Sequence, residues 1–156
     1  MTTWHQFAVL QSQFATGVRA RFAEATHHVL ATLRLDGSPR VSGTEVEFTD
    51  TDLTIGSMAA ARKADDLLRD PRFALHSNPG DGEPGATGIL DAKISGRAVP
   101  VQTGTQLATQ QEQQPGSHLF RLELDSVVTV GLTEARDGLL IRHWQPASGL
   151  VETRRQ

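Results

Sequence analysis

The chain has 156 residues, no cysteine, and a formal net charge of −3 from 15 Lys plus Arg against 18 Asp plus Glu. One domain is the expectation at this length, and a chain without cysteine has no disulfides, thiolate metal sites or cysteine nucleophiles. The acidic balance argues against a nucleic-acid footprint, no apolar run approaches the roughly 18 residues of a membrane span, and Met1 to His5 do not open a signal peptide, so a cytoplasmic protein is expected.

Residues 1–26 predict one helix, since Trp4, Phe7, Leu10, Phe14, Val18 and Phe22 recur at three- and four-residue steps. Such an aromatic stripe reads as core packing rather than a cofactor box. From His28 the period turns to two, and Asp36-Gly37 between alternating runs signals a hairpin. The returning strand, Arg40 to Thr49, leads through an Asp-rich turn into a short strand, Leu53 to Ser57. A helix is expected next, rich in Ala and Leu, with Ser57 as its N-cap and Asp70-Pro71 as its end. Strands follow over Arg72–Ser77, Ile89–Val99, Leu119–Val130 and Leu139–Trp144. The loop Asn78–Gly88 interrupts them, and the Gln-rich stretch 102–114 reads as either a surface helix or a connection. About seven strands with a leading and an inserted helix predict a mainly β fold, an antiparallel barrel closed or half open. It forms one domain over 1–156, ending in a polar tail at 147–156.

Arg62 and Lys63 carry the chemistry. Cations near a helix start oppose the helix dipole, while the acids Asp65, Asp66 and Asp70 sit further along, the reverse of the favoured order. A bound anion resolves the conflict by drawing on free amides, the Ser57 hydroxyl and both cations. The competing reading is a solvated Arg-Lys pair with Asp65 and Asp66 as helical partners.

The hairpin His28–Arg40, the strand Leu53–Ser57, Arg62-Lys63-Ala64 and Asp70-Pro71-Arg72 together resemble the pyridoxamine 5′-phosphate oxidase-like split-barrel flavoproteins and their deazaflavin-using relatives. The clear match covers about a third of the chain, and the segment around Trp144 resembles the closing strand of that family. The resemblance implies a six-stranded split barrel working as a homodimer, with FMN in a groove between subunits. It would lay Arg40, Val41, Ser42, Gly43 and Thr44 along the isoalloxazine and ribityl chain. Gly56 and Ser57 would contact ribityl or phosphate, Arg62 and Lys63 would hold the phosphate, and Trp144 would reach toward the flavin.

Departures shape the functional expectation. Glu45 stands where the oxidase has a Lys, and Gly56-Ser57 where it has an aromatic-Thr pair. Leu150 and Glu152 occupy the places of the Arg and His that grip pyridoxal phosphate, while Arg154 falls where a flavin-contacting Arg would sit. The leading expectation is an oxidoreductase passing a hydride or electron pair between FMN and a small organic acceptor, not an efficient pyridoxamine phosphate oxidase. One alternative is a reductase using the deazaflavin coenzyme F420, its acidic tail lying along Arg69 and Arg72. Another is a non-enzymatic flavin- or tetrapyrrole-binding protein. No side chain stands out as a catalytic acid or base. His27-His28 point to opposite strand faces, and the remaining His show no metal-ligand spacing. Glu45 and Glu47 share a face, the mark of a solvated rim. The apolar runs at Val46, Phe48 and Leu119–Val130 exceed what one barrel needs inside and are assigned to the dimer interface.

Overall fold

Two helices form where the aromatic stripe predicts one. A computed structural model describes residues 1–84, 87–101 and 117–156 of the chain. Helix α1 (Trp4–Leu10) opens on a capping box, in which the Gln6 amide donates to Thr3 Oγ1 and the Thr3 amide donates to Gln6 Oε1. The chain leaves helical geometry at Gln11 (φ −134°, ψ 60°), and α2 runs Ser12–Ala23. The break lets one stripe meet two parts of the core. Phe7 packs on Trp144, with ring centroids 4.8 Å apart, whereas Phe22 packs on His28 at 4.8 Å and Phe48 at 5.6 Å.

The strands are β1 (His28–Leu33), β2 (Pro39–Thr44), β3 (Glu47–Phe48), β4 (Leu53–Ser57), β5 (Arg72–His76), β6 (Ile89–Pro100), β7 (His118–Leu132), β8 (Leu139–Gln145) and β9 (Gly149–Arg155), with α3 (Arg62–Arg69) between β4 and β5. They make one antiparallel sheet in the order β2-β1-β5-β6-β7-β4-β3, with β8 pairing β7 and β9. Strand β7 is the hub. Its first residues pair with β4 and its last with β8, while β6 runs along its other edge. The ends of the path, β2 and β3, are not hydrogen-bonded to each other, so the barrel is split rather than closed.

Several sequence expectations are corrected here. The strand from Arg40 breaks at Glu45 and Val46 into β2 and β3. The polar tail is strand β9, which pairs with β8 from Gln145↔Gly149 to Leu139↔Arg155. Its polarity hides it because β9 is an edge strand, where charge on the free side is the usual guard against further pairing. Ser57 ends β4 instead of capping α3, whose N-cap is Ala61. The stretch 102–114 lies outside the described residues. Most of the apolar residues assigned to an interface instead fill the core, Val128 on the outer face excepted. Phe48 packs edge-on against Trp4 (4.7 Å), and Leu119, Phe120, Leu122, Leu124 and Val127 are all at most 2% exposed, the last four in the main core cluster. The two N-terminal helices supply the second layer that uses up this apolar surface.

Cross-strand partners share a sheet face, which defines the opposite side. Gly43, Val29, His76 and Lys93 form a row that continues through Val128, His143 and Val151. Val41 and Val151 on this outer face are 70% and 51% exposed. Among the described residues no helix is long and apolar enough to cross a membrane.

Candidate functional site

The β1–β2 hairpin and α3 build the site together. The hairpin closes through Gly37, whose φ of 83° a residue with a Cβ rarely adopts, while the Asp36 carboxylate accepts from the Ser38 amide and hydroxyl. Helix α3 ends at Asp70, held extended (φ −135°, ψ 108°) by Pro71 behind it. Its start is less usual. Ala60 turns the chain at φ 64°, a conformation that costs a Cβ-bearing residue about 1–2 kcal/mol, and no side chain caps the first amides.

Arg62 and Lys63 are the first two residues of α3. Successive helical positions point about 100° apart, and the two cations accordingly enter different clefts flanking the helix start. Arg62 lines a cleft of about 490 Å³ with Arg34, Arg40 and Arg69. Asp36, Asp65 and Asp66 complete its polar wall. Lys63 lines a cleft of about 230 Å³ with Gly43, Thr44 and Gly56. Its Nζ donates to the Gly43 carbonyl at 3.0 Å. Burial pulls the Lys63 pKa below its ordinary value, with Glu45 pulling the other way. An ammonium has three donors, so this desolvated group keeps capacity for an anionic oxygen. A Cβ added at Gly43 would meet nothing within 4 Å, which leaves bare, open backbone beside it.

Asp66 is the carboxylate at the centre of the larger cleft, and it is 2% exposed. Oδ2 accepts from Thr32 Oγ1 at 2.7 Å and Arg40 Nε at 2.6 Å, and Oδ1 accepts from Arg69 at 3.1 Å. Burial would raise its pKa, but the donors from Arg40, Thr32 and Arg69 outweigh it and hold the group below the usual carboxylate range. The sequence reading offered Asp66 as a helical partner for Arg62 or Lys63; the fold commits it to Arg40 and Arg69.

The structure thus divides the ten residues that the resemblance points to. Arg40 and Arg62 share the larger cleft, and Gly43, Thr44, Gly56 and Lys63 share the smaller one. Val41 is exposed on the outer face. Ser42 points inward with a buried hydroxyl that has no hydrogen-bond partner, and Ser57 is buried with its hydroxyl on the Met58 carbonyl. Trp144 is 2% exposed and packed into the core on Phe7, because the inward face of β8 meets the N-terminal helices. Arg34 and Asp66 are the site residues that sequence reasoning missed. The i, i+4, i+7 spacing of Arg62, Asp66 and Arg69 was the available signal, since it puts all three on one face of α3. Of the residues aligned with a pyridoxal phosphate grip, Leu150 packs against the core and Glu152 pairs with Arg142 at 2.9 Å, both beside the α1–α2 junction.

The family model for pyridoxamine 5′-phosphate oxidase matches residues 15–131, which is 117 of the 156 residues. No curated protein matches the sequence significantly. Among solved structures, the chain is similar to PhzG from Burkholderia lata, crystallised with tetrahydrophenazine-1-carboxylic acid (TM-score 0.65, 16% identity, covering 96% of this chain and 91% of that one). It is also similar to a pyridoxamine 5′-phosphate oxidase-related, FMN-binding protein from Nostoc punctiforme (TM-score 0.63, 10% identity, 94% and 96%). The haem storage protein HutZ from Vibrio cholerae shares the fold too (TM-score 0.56, 18% identity, 74% and 89%). A family match across three quarters of the sequence, on a fold common to all three structures, makes this chain a member of the pyridoxamine 5′-phosphate oxidase family.

Proposed function

We propose that the chain is an FMN-binding oxidoreductase that acts as a homodimer on a small organic substrate other than pyridoxamine phosphate. The observation that carries the reading is the pair of cations at the uncapped start of α3, one of them a desolvated ammonium beside the open backbone of Gly43. These residues suit a phosphate-bearing flavin. The free amides at the start of α3, with Arg62 and Arg40 in the cleft on one side and Lys63 in the cleft on the other, supply positive charge for a phosphate. Gly43 and Gly56 keep the neighbouring wall free of side chains. FMN, when bound, supplies the hydride or electron-pair chemistry, and the protein contributes binding, orientation and polarity.

Each cleft is open to solvent along the sheet, so a second copy of the chain is the natural cover. The outer face that carries Val41, Val29, Val128 and Val151 is the proposed contact, a patch that can meet itself across a two-fold axis. Leu150 and Glu152 remove the charge pattern that would hold pyridoxal phosphate, and the Glu152 carboxylate repels it.

The test is the absorbance spectrum of freshly purified protein, followed by titration with FMN, with coenzyme F420 and with haem. Flavin bands, or saturable quenching of FMN fluorescence at micromolar protein, support the reading. Binding of the deazaflavin alone, or a Soret band without flavin binding, replaces it with a deazaflavin-dependent reductase or a tetrapyrrole carrier.

A further inference from the structure

The larger cleft presents a contradiction. Its floor holds a fully buried carboxylate in a place otherwise built from four arginines, and a negative charge there weakens any anion bound nearby. Asp66 is nevertheless tied down more thoroughly than any other carboxylate in the cleft. Thr32 Oγ1 and Arg40 Nε donate to one oxygen, and Arg69 Nη2 and Arg40 Nη2 to the other, while Arg69 Nη2 also donates to the Leu33 carbonyl at 2.9 Å. Thr32 and Arg40 are themselves cross-strand partners in β1 and β2. The Asp66 carboxylate therefore links α3 to the hairpin at the point where both arginines project.

An arginine side chain is long and loses substantial rotamer freedom on being ordered. Arg40, held through Nε at 2.6 Å and Nη2 at 3.5 Å, and Arg69, held through Nη2, are pre-organised by these bonds, and both line the cleft. Arg62 and Arg34 are exposed residues of the same cleft and form its rim, Arg34 donating to the Pro39 carbonyl. Two fixed guanidinium groups facing two rim cations form a receptor of set geometry, whereas four unattached arginines would only form a diffuse positive field.

We infer that Asp66 is a positioning residue of the anion cleft, fixing Arg40 and Arg69 so that they recognise a phosphate monoester by geometry. This rests on the phosphate reading of the site above. Asp66 is too deeply buried to touch the ligand and acts through the two arginines.

Asp66→Asn is the informative variant, because it keeps the side-chain shape and one acceptor oxygen but removes the charge. If Asp66 merely neutralised the cleft, losing its charge would make FMN bind more tightly. Positioning predicts the reverse: FMN affinity falls about tenfold, in the range for disturbing a group that orients a ligand's direct contacts. Riboflavin, which lacks the phosphate, binds as before. Thr32→Val removes only the hydroxyl contact, leaves every charge in place, and lowers FMN affinity in the same direction by less. If Asp66→Asn does not fold, Thr32→Val carries the test. A ligand-free readout accompanies it, the NMR signal of the Arg40 Nε–H group. The Arg40 signal is protected from exchange in the wild type, exposed in Asp66→Asn and less protected in Thr32→Val than in the wild type. Tighter or unchanged FMN binding by the folded variants, or a parallel loss of riboflavin, overturns the inference. A wild type that ignores FMN while inorganic phosphate shifts the Arg40 signal defeats the FMN reading and leaves the role of Asp66 standing. If neither ligand moves that signal, the role falls as well.

Discussion

Changing Arg62 and Lys63 together to Ala separates ligand binding from folding. Both side chains sit in the first turn of α3, where a cation costs about 0.3–1 kcal/mol against the helix dipole. Lys63 would lose its 3.0 Å bond to the Gly43 carbonyl, a net contribution of about 0.5–1.5 kcal/mol. That loss is offset by no longer desolvating an ammonium, and Ala is at least as good a helix former. The terms cancel to within about 1 kcal/mol, which at this chain length moves Tm by no more than about 4 °C. Binding has no such compensation. Two charge-assisted hydrogen bonds to a phosphate contribute about 1.5–3 kcal/mol each, and the exposure of Arg62 discounts its share, leaving a loss of about 2–4 kcal/mol. That is about 30- to 900-fold in Kd. The assay is quenching of flavin fluorescence on titration, with riboflavin in parallel and repeated at two ionic strengths. The variant should lose most of its preference for FMN over riboflavin and most of its salt dependence, with Arg40 and Arg69 retaining the remainder. Unchanged FMN affinity in a folded double variant would refute the phosphate site.

Three further outcomes are expected. His28 is buried, and burial, with the neighbouring His27, holds its pKa below 6.5 against the Ala25 and Phe22 backbone; its Nδ1 accepts from the Asn78 amide at 2.9 Å. Its contribution to stability is therefore complete above about pH 6.5 and lost as pH falls toward the lowered folded pKa, by at most about 1.4 kcal/mol per pH unit. Denaturant midpoints from pH 5 to 8 should show that slope, and His28→Gln should flatten it; an identical slope in the variant would exclude His28 as its source. Light scattering at micromolar concentration should give twice the 16.9 kDa chain mass, and Val151→Glu on the outer face should return it to one. A monomeric wild type that still binds flavin tightly would refute the two-subunit site. A peroxide-release assay on pyridoxamine phosphate should show little turnover at saturating FMN, whereas robust turnover would mean that Leu150 and Glu152 do not replace the phosphate grip.

The fold was legible where one rule dominates locally. Asp36-Gly37 marks the hairpin because its turn needs a residue at positive φ, and Asp70-Pro71 ends α3 because proline forces the preceding residue extended. Long β6 and β7 show their period of two because each buries one face. Legibility failed where the local pattern was neutral and a tertiary contact decided. Nothing at Gln11 announces a break. It follows from Phe7 and Phe22 having to reach Trp144 and His28 on different strands. Strand β9 is invisible to hydropathy because five of its seven residues are exposed, and its existence depends on β8 lying beside it.

The site divides along the same line. The opposition between two cations and a helix dipole is a local fact, so Arg62 and Lys63 stand out in the sequence alone. Their divergence into two clefts is also local, set by the 100° helical step, but it matters only once strand β2 lines both clefts, with Arg40 in one and Gly43 in the other. Asp66 is a different case. In the sequence it is one acid among several in a polar helix, with Lys63 and Arg69 both at i±3. What singles it out is Thr32, 34 positions earlier, and Arg40, 26 positions earlier, which approach it only because β1 and β2 pair in one register. A shift of that pairing by one residue would put Thr32 and Arg40 on opposite faces and strip the buried carboxylate of one of its two hairpin partners. The register of the hairpin and the geometry of the anion cleft are thus one constraint, met at a single buried carboxylate.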